Sequence, residues 1–219
     1  MPTAPERRER LARARLYFVS DASTPVAVLR AALEGGADML QLRDPSLSDD
    51  ELVEVARAWR SVTREHAALL WLNDRPDLAL RADADGVHVG QDDMTVPDAR
   101  REAGGELLVG LSTHSPEQLE AGIDSGADQL SVGPVWETPT KPGRAAAGLD
   151  YVRHAAQRNP PVPWFAIGGI DGENVADVAD AGAERAVVVR AIRDAADPRA
   201  AAQEIRAALG REVVGGAAR

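Results

Sequence analysis

Cysteine is absent from this chain of 219 residues, which excludes disulfides, thiolate nucleophiles and cysteine-based zinc sites. Lysine is almost absent: Lys141 is the only one, and 24 of the 25 basic side chains are arginine. Long apolar runs are missing as well, and none approaches the roughly 18 residues that a membrane span needs. The opening stretch MPTAPERRERLARAR lacks the apolar segment of a secretory signal. Glu6 and Glu9 interrupt its arginines, which speaks against a transit peptide or basic arm and for a frayed or surface helix ahead of the first strand. With no organelle signal, the cytoplasm is the default expectation. A net charge of -10 argues against nucleic acid and acidic membranes as partners. It leaves room for a local arginine cluster that attracts a small anion.

What is present is an ordinary globular composition, 44% hydrophobic and 27% charged. β-rich runs fall at Leu16–Asp21, Met39–Asp44, Leu69–Asp74, Gly86–Gln91, Leu107–Thr113, Gln129–Val135, Trp164–Ile170 and Arg185–Ile192. Apolar-periodic segments separate them, and a last one spans Pro198–Leu209. Several have start signals: Ser48 ahead of Glu51 has capping-box spacing, and Pro116 follows Ser115 at a first helical position. Alternating strands and helices imply a parallel sheet. Eight such units of about 25 residues imply a closed (β/α)8 barrel, here over residues 15–210, with an extension of 1–14 and a tail of 211–219. An internal echo agrees: GGADMLQLR, ADADGVHVG, SGADQLSVG and AGAERAVVV precede or enter the second, fourth, sixth and eighth strands. The competing fold, an open doubly wound sheet, usually has a glycine-rich turn after its first strand, and FVSDASTP has none.

In such a barrel the functional residues sit at the carboxy ends of the strands. In the second strand, Leu40 and Leu42 are expected to face the helices, which turns Gln41 and Arg43 to the mouth. An amide can read a heterocycle and an arginine can grip phosphate; the alternative is a surface salt bridge between Arg43 and Asp44. Asp74 and Asp93, at the next two strand ends, suit magnesium, which needs few protein oxygens. The alternatives are a helix cap before Pro76 for Asp74 and a solvated turn for Asp93. Gly168 and Gly169 permit close backbone approach at the strand where barrels commonly hold a phosphate, or simply make a tight turn. His88, between Val87 and Val89, reads as a hydrogen-bonded core histidine; His114 reads as a general acid or base, or as part of a turn. No histidine pair has zinc-ligand spacing, and there is no Gly-x-Ser-x-Gly elbow.

In order along the chain stand QLRD, NDRPDLAL, ADGVHVGQDDM, GLSTHS, VGPVWETPTKPGRAAAGL, WFAIGGI and VVVRAI. With these the chain resembles the thiamine-phosphate synthase (thiamine-phosphate pyrophosphorylase) family from about Arg15 to about Leu209. The resemblance implies a (β/α)8 barrel that joins 4-amino-2-methyl-5-hydroxymethylpyrimidine diphosphate to 4-methyl-5-(2-phosphoethyl)thiazole with Mg²⁺, releasing pyrophosphate. It implies pyrimidine diphosphate contacts along Gln41, Leu42, Arg43, Asp44 and Pro45, and from Asn73, Ser112 and Lys141, with Arg43, Ser112 and Lys141 as the catalytic set. It also implies metal ligation by Asp74 and Asp93. The thiazole phosphate falls to Thr138, Pro139, Thr140, Gly169, Val189 and Arg190.

One position departs from the family pattern, which continues Gln-x-Arg with an acidic residue and then lysine; here Pro45 stands in place of that lysine. Compensation by Arg75 or Arg144, tolerance of the loss, and a different substrate are the three explanations. The implied partners are phosphorylated small molecules, and a homodimer is compatible with the reading. Two other functions compete: a thiazole tautomerase on a related barrel, using His114 with a carboxylate, and a non-catalytic phosphate-ligand sensor. The lone Lys141 reads as a compact ammonium reaching a diphosphate, against the plain alternative of a general arginine bias.

Overall fold

The computed structural model describes residues 2–138 and 145–210. Eight parallel strands close into a barrel, each paired with the next and the last with the first. They are β1 (Leu16–Ser20), β2 (Met39–Leu42), β3 (Leu69–Asn73), β4 (Gly86–Val89), β5 (Leu108–Thr113), β6 (Gln129–Val132), β7 (Trp164–Ile167) and β8 (Ala186–Val188). The helices are α1 (Ala4–Arg13), α2 (Val26–Glu34), α3 (Asp49–Glu65), α4 (Pro76–Ala79), α5 (Val96–Glu102), α6 (Pro116–Asp124), α7 (Gly148–Arg158), α8 (Val175–Asp180), α9 (Arg190–Arg193) and α10 (Pro198–Leu209). Among the described residues no helix is long and apolar enough to cross a membrane. The ladder is shorter than the β-rich runs at its carboxy end. β8 stops at Val188, and the apolar run beyond it buries Ile192 through one helical turn, α9, instead of continuing the strand.

The strands are covered on both faces, so their alternation separates two cores instead of core from solvent. Leu16, Phe18, Leu40, Leu42, Leu70 and Leu72 pack outward with the helices. Tyr17, Met39, Leu69, Trp71, Leu108 and Phe165 fill the barrel itself. Tyr17 meets Trp71 and Phe165 edge to face, with centroids 6.1 and 5.8 Å apart, the geometry that aromatic quadrupoles favour. Gly86 leaves the space Trp71 needs, since a Cβ there would lie 2.7 Å from the indole.

The echo found in the sequence has a structural cause. Asp38, Asp85 and Asp128 stand just before β2, β4 and β6, and each clamps the start of the preceding strand. Asp85 donates its N–H to Leu70 O at 2.7 Å and accepts Leu70 N–H on its carboxylate at 3.0 Å. Asp128 does the same with Val109, at 2.7 and 2.9 Å, and Asp38 with Leu16, at 2.9 and 3.1 Å. The fourth repeat differs: Glu184 is exposed, and Arg185 instead donates to Ala14 O and Ala12 O, both at 3.1 Å.

These carboxylates are held by arginines from distant segments. Asp85, fully buried, accepts from Arg60 and from Arg7, and Asp128 accepts from Arg8 and Arg100, both at 2.9 Å. Arg7 and Arg8 belong to α1. The sequence leaves this helix frayed or at the surface, yet it starts at a Thr3–Glu6 capping box and buries Arg7 and Leu11 across the amino-terminal end of the barrel. The reason is long-range: its partners, 78 and 120 residues away, are invisible to local pattern.

Removing one member of a buried ion pair leaves the others charged and desolvated, at a cost of about 3–5 kcal/mol. Asp85→Ala is therefore expected to lower unfolding free energy by about that amount in urea titrations, whereas Asp150→Ala, whose side chain is 96% exposed, shifts it by less than about 0.5 kcal/mol.

Candidate active site

The carboxy-terminal end of the barrel opens into a cavity of about 420 Å³, a volume suited to a small-molecule ligand. Interior residues turn polar towards it: Gln41 from β2, Asn73 from β3, His88 from β4, Ser112 from β5 and Ser131 from β6 all line it. Gln41 and Arg43 face the mouth as the alternation of β2 demands, while Leu40 and Leu42 are fully buried outward. Leu42 thus brings no side chain to the cavity. Arg43 forms no ion pair with Asp44 among the described residues. Its Nε is buried without a hydrogen-bond partner there, and the side chain lines the cavity.

Gln41 is aimed from below. It donates Nε2–H to the Tyr17 hydroxyl, whose pKa burial pushes well above the usual phenol value, so this contact is between neutral groups. Asp44 and Pro45 line a neighbouring cavity of about 330 Å³ with Arg43, Arg190 and Arg193. Asp44 anchors the loop: the Ser46 hydroxyl, at 2.6 Å, and the N–H groups of Ser46 and Ala22 hold its carboxyl below the usual range. Arg75 is committed elsewhere, to Asp77 first and to Asp49, both at 2.7 Å, which raises its pKa further. It is therefore a poor stand-in for a cation at Pro45; Arg144 lies outside the described residues.

After β7, Gly168 and Gly169 also line the cavity and have φ of +105° and +69°, in the region open to glycine. A Cβ on Gly168 would lie 2.5 Å from Pro134 Cβ. Thr138, Val189 and Arg190 line the cavity as well. Lys141, Pro139 and Thr140 lie outside the described residues.

Asp74 and Asp93 stand at the rim, at adjacent strand ends. Asp74 has φ of +58° and donates its N–H to His88 O at 2.8 Å. The N-terminal cap of α4 is Arg75, so Asp74 does not play the capping part open to it in the sequence. Asp93 folds its carboxylate back to accept Gly90 N–H at 2.9 Å. Among the described residues no group of three or more His, Asp or Glu is placed to hold an ion.

Two histidines line the mouth. His114 has Nδ1 2.6 Å from Gly133 O, which requires that nitrogen to carry the proton. His88 is buried and hydrogen-bonded, as the flanking valines suggest, but it also reaches the cavity: Nε2 is 2.9 Å from Ser112 Oγ, and Nδ1 is 3.1 Å from Gln129 Oε1. The sequence carries no local signal for this contact, because the serine is 24 and the glutamine 41 residues away.

A closed barrel whose mouth collects arginine, amides and a glycine pair has the build of a barrel enzyme acting on phosphorylated small molecules. The family model described as thiamine monophosphate synthase matches residues 16–192. The thiamine-phosphate synthase of Streptomyces avermitilis is 48% identical over 202 residues, covering 90% of this chain and 94% of that protein. The one of Nostoc sp. is 47% identical over 207 residues and 94% of this chain, which spans only 59% of the Nostoc protein. The solved thiamine phosphate pyrophosphorylase of Pyrococcus furiosus superposes with a TM-score of 0.83 at 35% identity, covering 95% of this chain and 99% of that one. The chain belongs to the thiamine-phosphate synthase family of transferases.

A charge-assisted contact is worth about 1.5–3 kcal/mol. Arg43→Ala is therefore expected to weaken inorganic pyrophosphate binding at least about tenfold by isothermal titration calorimetry, with an unchanged circular dichroism spectrum. Unchanged affinity would show that the guanidinium does not meet the anion.

Proposed function

We propose that this chain joins 4-amino-2-methyl-5-hydroxymethylpyrimidine diphosphate to 4-methyl-5-(2-phosphoethyl)thiazole, giving thiamine phosphate and pyrophosphate. The observation that carries the reading is a single cavity lined by two unlike sets of residues. Gln41, Arg43, Asn73 and Ser112 reach it from the ends of β2, β3 and β5, and Gly168, Gly169, Val189 and Arg190 from the ends of β7 and β8. The first set suits an aminopyrimidine with its diphosphate; the second suits a phosphate approached by backbone and a cation.

In this reaction the bond between the pyrimidine methylene and the diphosphate oxygen breaks, and pyrophosphate leaves with the electron pair. On a dissociative route the pyrimidine carbocation is stabilised by its own amino group, and the thiazole nitrogen donates its lone pair to form the new C–N bond. The protein's tasks are to neutralise the leaving charge and hold the rings in line. Arg43 and Lys141 take the first task. Gln41, with Tyr17 behind it, takes the second. Asp74 and Asp93 are the residues that would hold Mg²⁺: both are hard oxygen donors at adjacent strand ends, and Asp93 uses only one carboxylate oxygen on Gly90, which fits an ion that keeps water and phosphate as its other ligands. When bound, the ion supplies further charge neutralisation to the diphosphate.

Purified protein given both substrates and Mg²⁺ is expected to release pyrophosphate and thiamine phosphate in equal amounts, and absence of product at high enzyme concentration would sink the reading. Lys141→Ala should lower turnover about a hundredfold or more, in line with loss of a charge-stabilising contact, while the melting temperature stays put. Pro45→Lys should tighten pyrimidine diphosphate binding; an unchanged KM would mean that other cations already serve the diphosphate.

A further inference from the structure

The reaction as proposed gives His88 and Gln129 no part, yet the two form a continuous hydrogen-bond chain with Ser112 at the floor of the mouth. Gln129, fully buried as the first residue of β6, donates its amide N–H to Ser131 Oγ at 3.0 Å. Its Oε1 then faces His88 Nδ1 at 3.1 Å. An amide oxygen only accepts, so Nδ1 carries the imidazole proton. In the neutral imidazole the other nitrogen, Nε2, 2.9 Å from Ser112 Oγ, then carries the lone pair and accepts the serine hydroxyl.

Gly110 on β5 makes the chain possible. A Cβ there would lie 2.4 Å from Gln129 Oε1 and 2.6 Å from His88 Nδ1. A serine next to a histidine is also the arrangement of an activated nucleophile, but that role needs a partner on Nδ1 that stabilises the imidazolium, normally a carboxylate. A neutral amide holds the ring in one tautomer without stabilising its charged form.

We propose that His88 is a positioning residue: through the Gln129–His88–Ser112 chain it turns the Ser112 proton down into the barrel and the serine lone pairs up into the cavity. Ser112 therefore accepts a hydrogen bond from the ligand and does not donate one. It meets an N–H of the aminopyrimidine, not a phosphate oxygen. The identity of that ligand rests on the synthase reading; the direction of the hydrogen bonds rests on the geometry and a neutral imidazole.

Two experiments on the full chain separate these layers. Nitrogen-15 spectra of the uniformly labelled protein, with His88→Asn used for assignment, report the tautomer without any substrate. Protonated Nδ1 and unprotonated Nε2 are expected; the opposite tautomer or an imidazolium overturns the proposal, whatever the enzyme does. Kinetics then test the function of the chain through a double-mutant cycle. His88→Asn is expected to lower kcat/KM for the pyrimidine diphosphate about tenfold, the worth of one hydrogen bond, and to cause no further loss in a Ser112→Ala background. Losses that multiply in the double variant would overturn the proposal. Gly110→Ala, which adds its methyl group against the chain, should reproduce the His88→Asn loss; wild-type kcat/KM in that variant would also overturn it. A wild-type protein that makes no product would sink the synthase reading, and the tautomer measurement would still decide the hydrogen-bond polarity.

Discussion

Closure of β8 onto β1 is the constraint from which the rest of the molecule follows. Ala186 donates its N–H to Arg15 O at 2.9 Å, and Leu16, Tyr17 and Phe18 pair with Ala186, Val187 and Val188. Once the sheet has no edge, every strand residue faces either the barrel axis or the helices. The axial positions fill with large apolar side chains at the foot, and at the mouth with Gln41, Asn73, His88 and Ser112. The polar groups that would be costly in the packed interior are thereby brought together where a ligand can satisfy them.

The arginine bias of the chain acts differently at the two ends of this barrel. At the foot, Arg7, Arg8, Arg60 and Arg100 are absorbed by Asp85 and Asp128, whose carboxylates also hold the starts of neighbouring strands. The planar fork of arginine suits these multidentate contacts. At the mouth, Arg43 is left incomplete among the described residues. The same residue type is thus tied into the fold where a carboxylate meets it, and at Arg43 it lines the cavity with its Nε unpartnered among the described residues.

Under the mouth, polar residues are not simply exposed to the cavity but held from beneath. Tyr17 aims Gln41, and Gln129 with His88 aims Ser112. Holding a site from a second layer keeps the orientation of each group fixed before the ligand arrives, which lowers the ordering cost of binding.

Strand alternation, strand count and the order of the strand-end motifs were legible in the sequence because each is a local pattern. Leu40 and Leu42 against Gln41 and Arg43 is period two, and the repeated acidic residue before the even strands is visible by eye. Gln41, Arg43, Asn73 and Ser112 were expected at the mouth through motif and strand end together, and all four line the cavity there. What the repeated aspartates do was not legible, because their arginine partners in α1 lie 78 and 120 residues away. His88 between two valines reads as core, and it is; that it also orients Ser112 depends on Gly110 leaving room on the neighbouring strand. The sequence by itself determined which faces are apolar and which strand ends carry polar and charged side chains, since these follow from residue type and spacing. Only the tertiary structure decided which polar groups meet, because a hydrogen bond needs two partners within about 3 Å, and closure of the barrel alone brings residues from different strands to that distance.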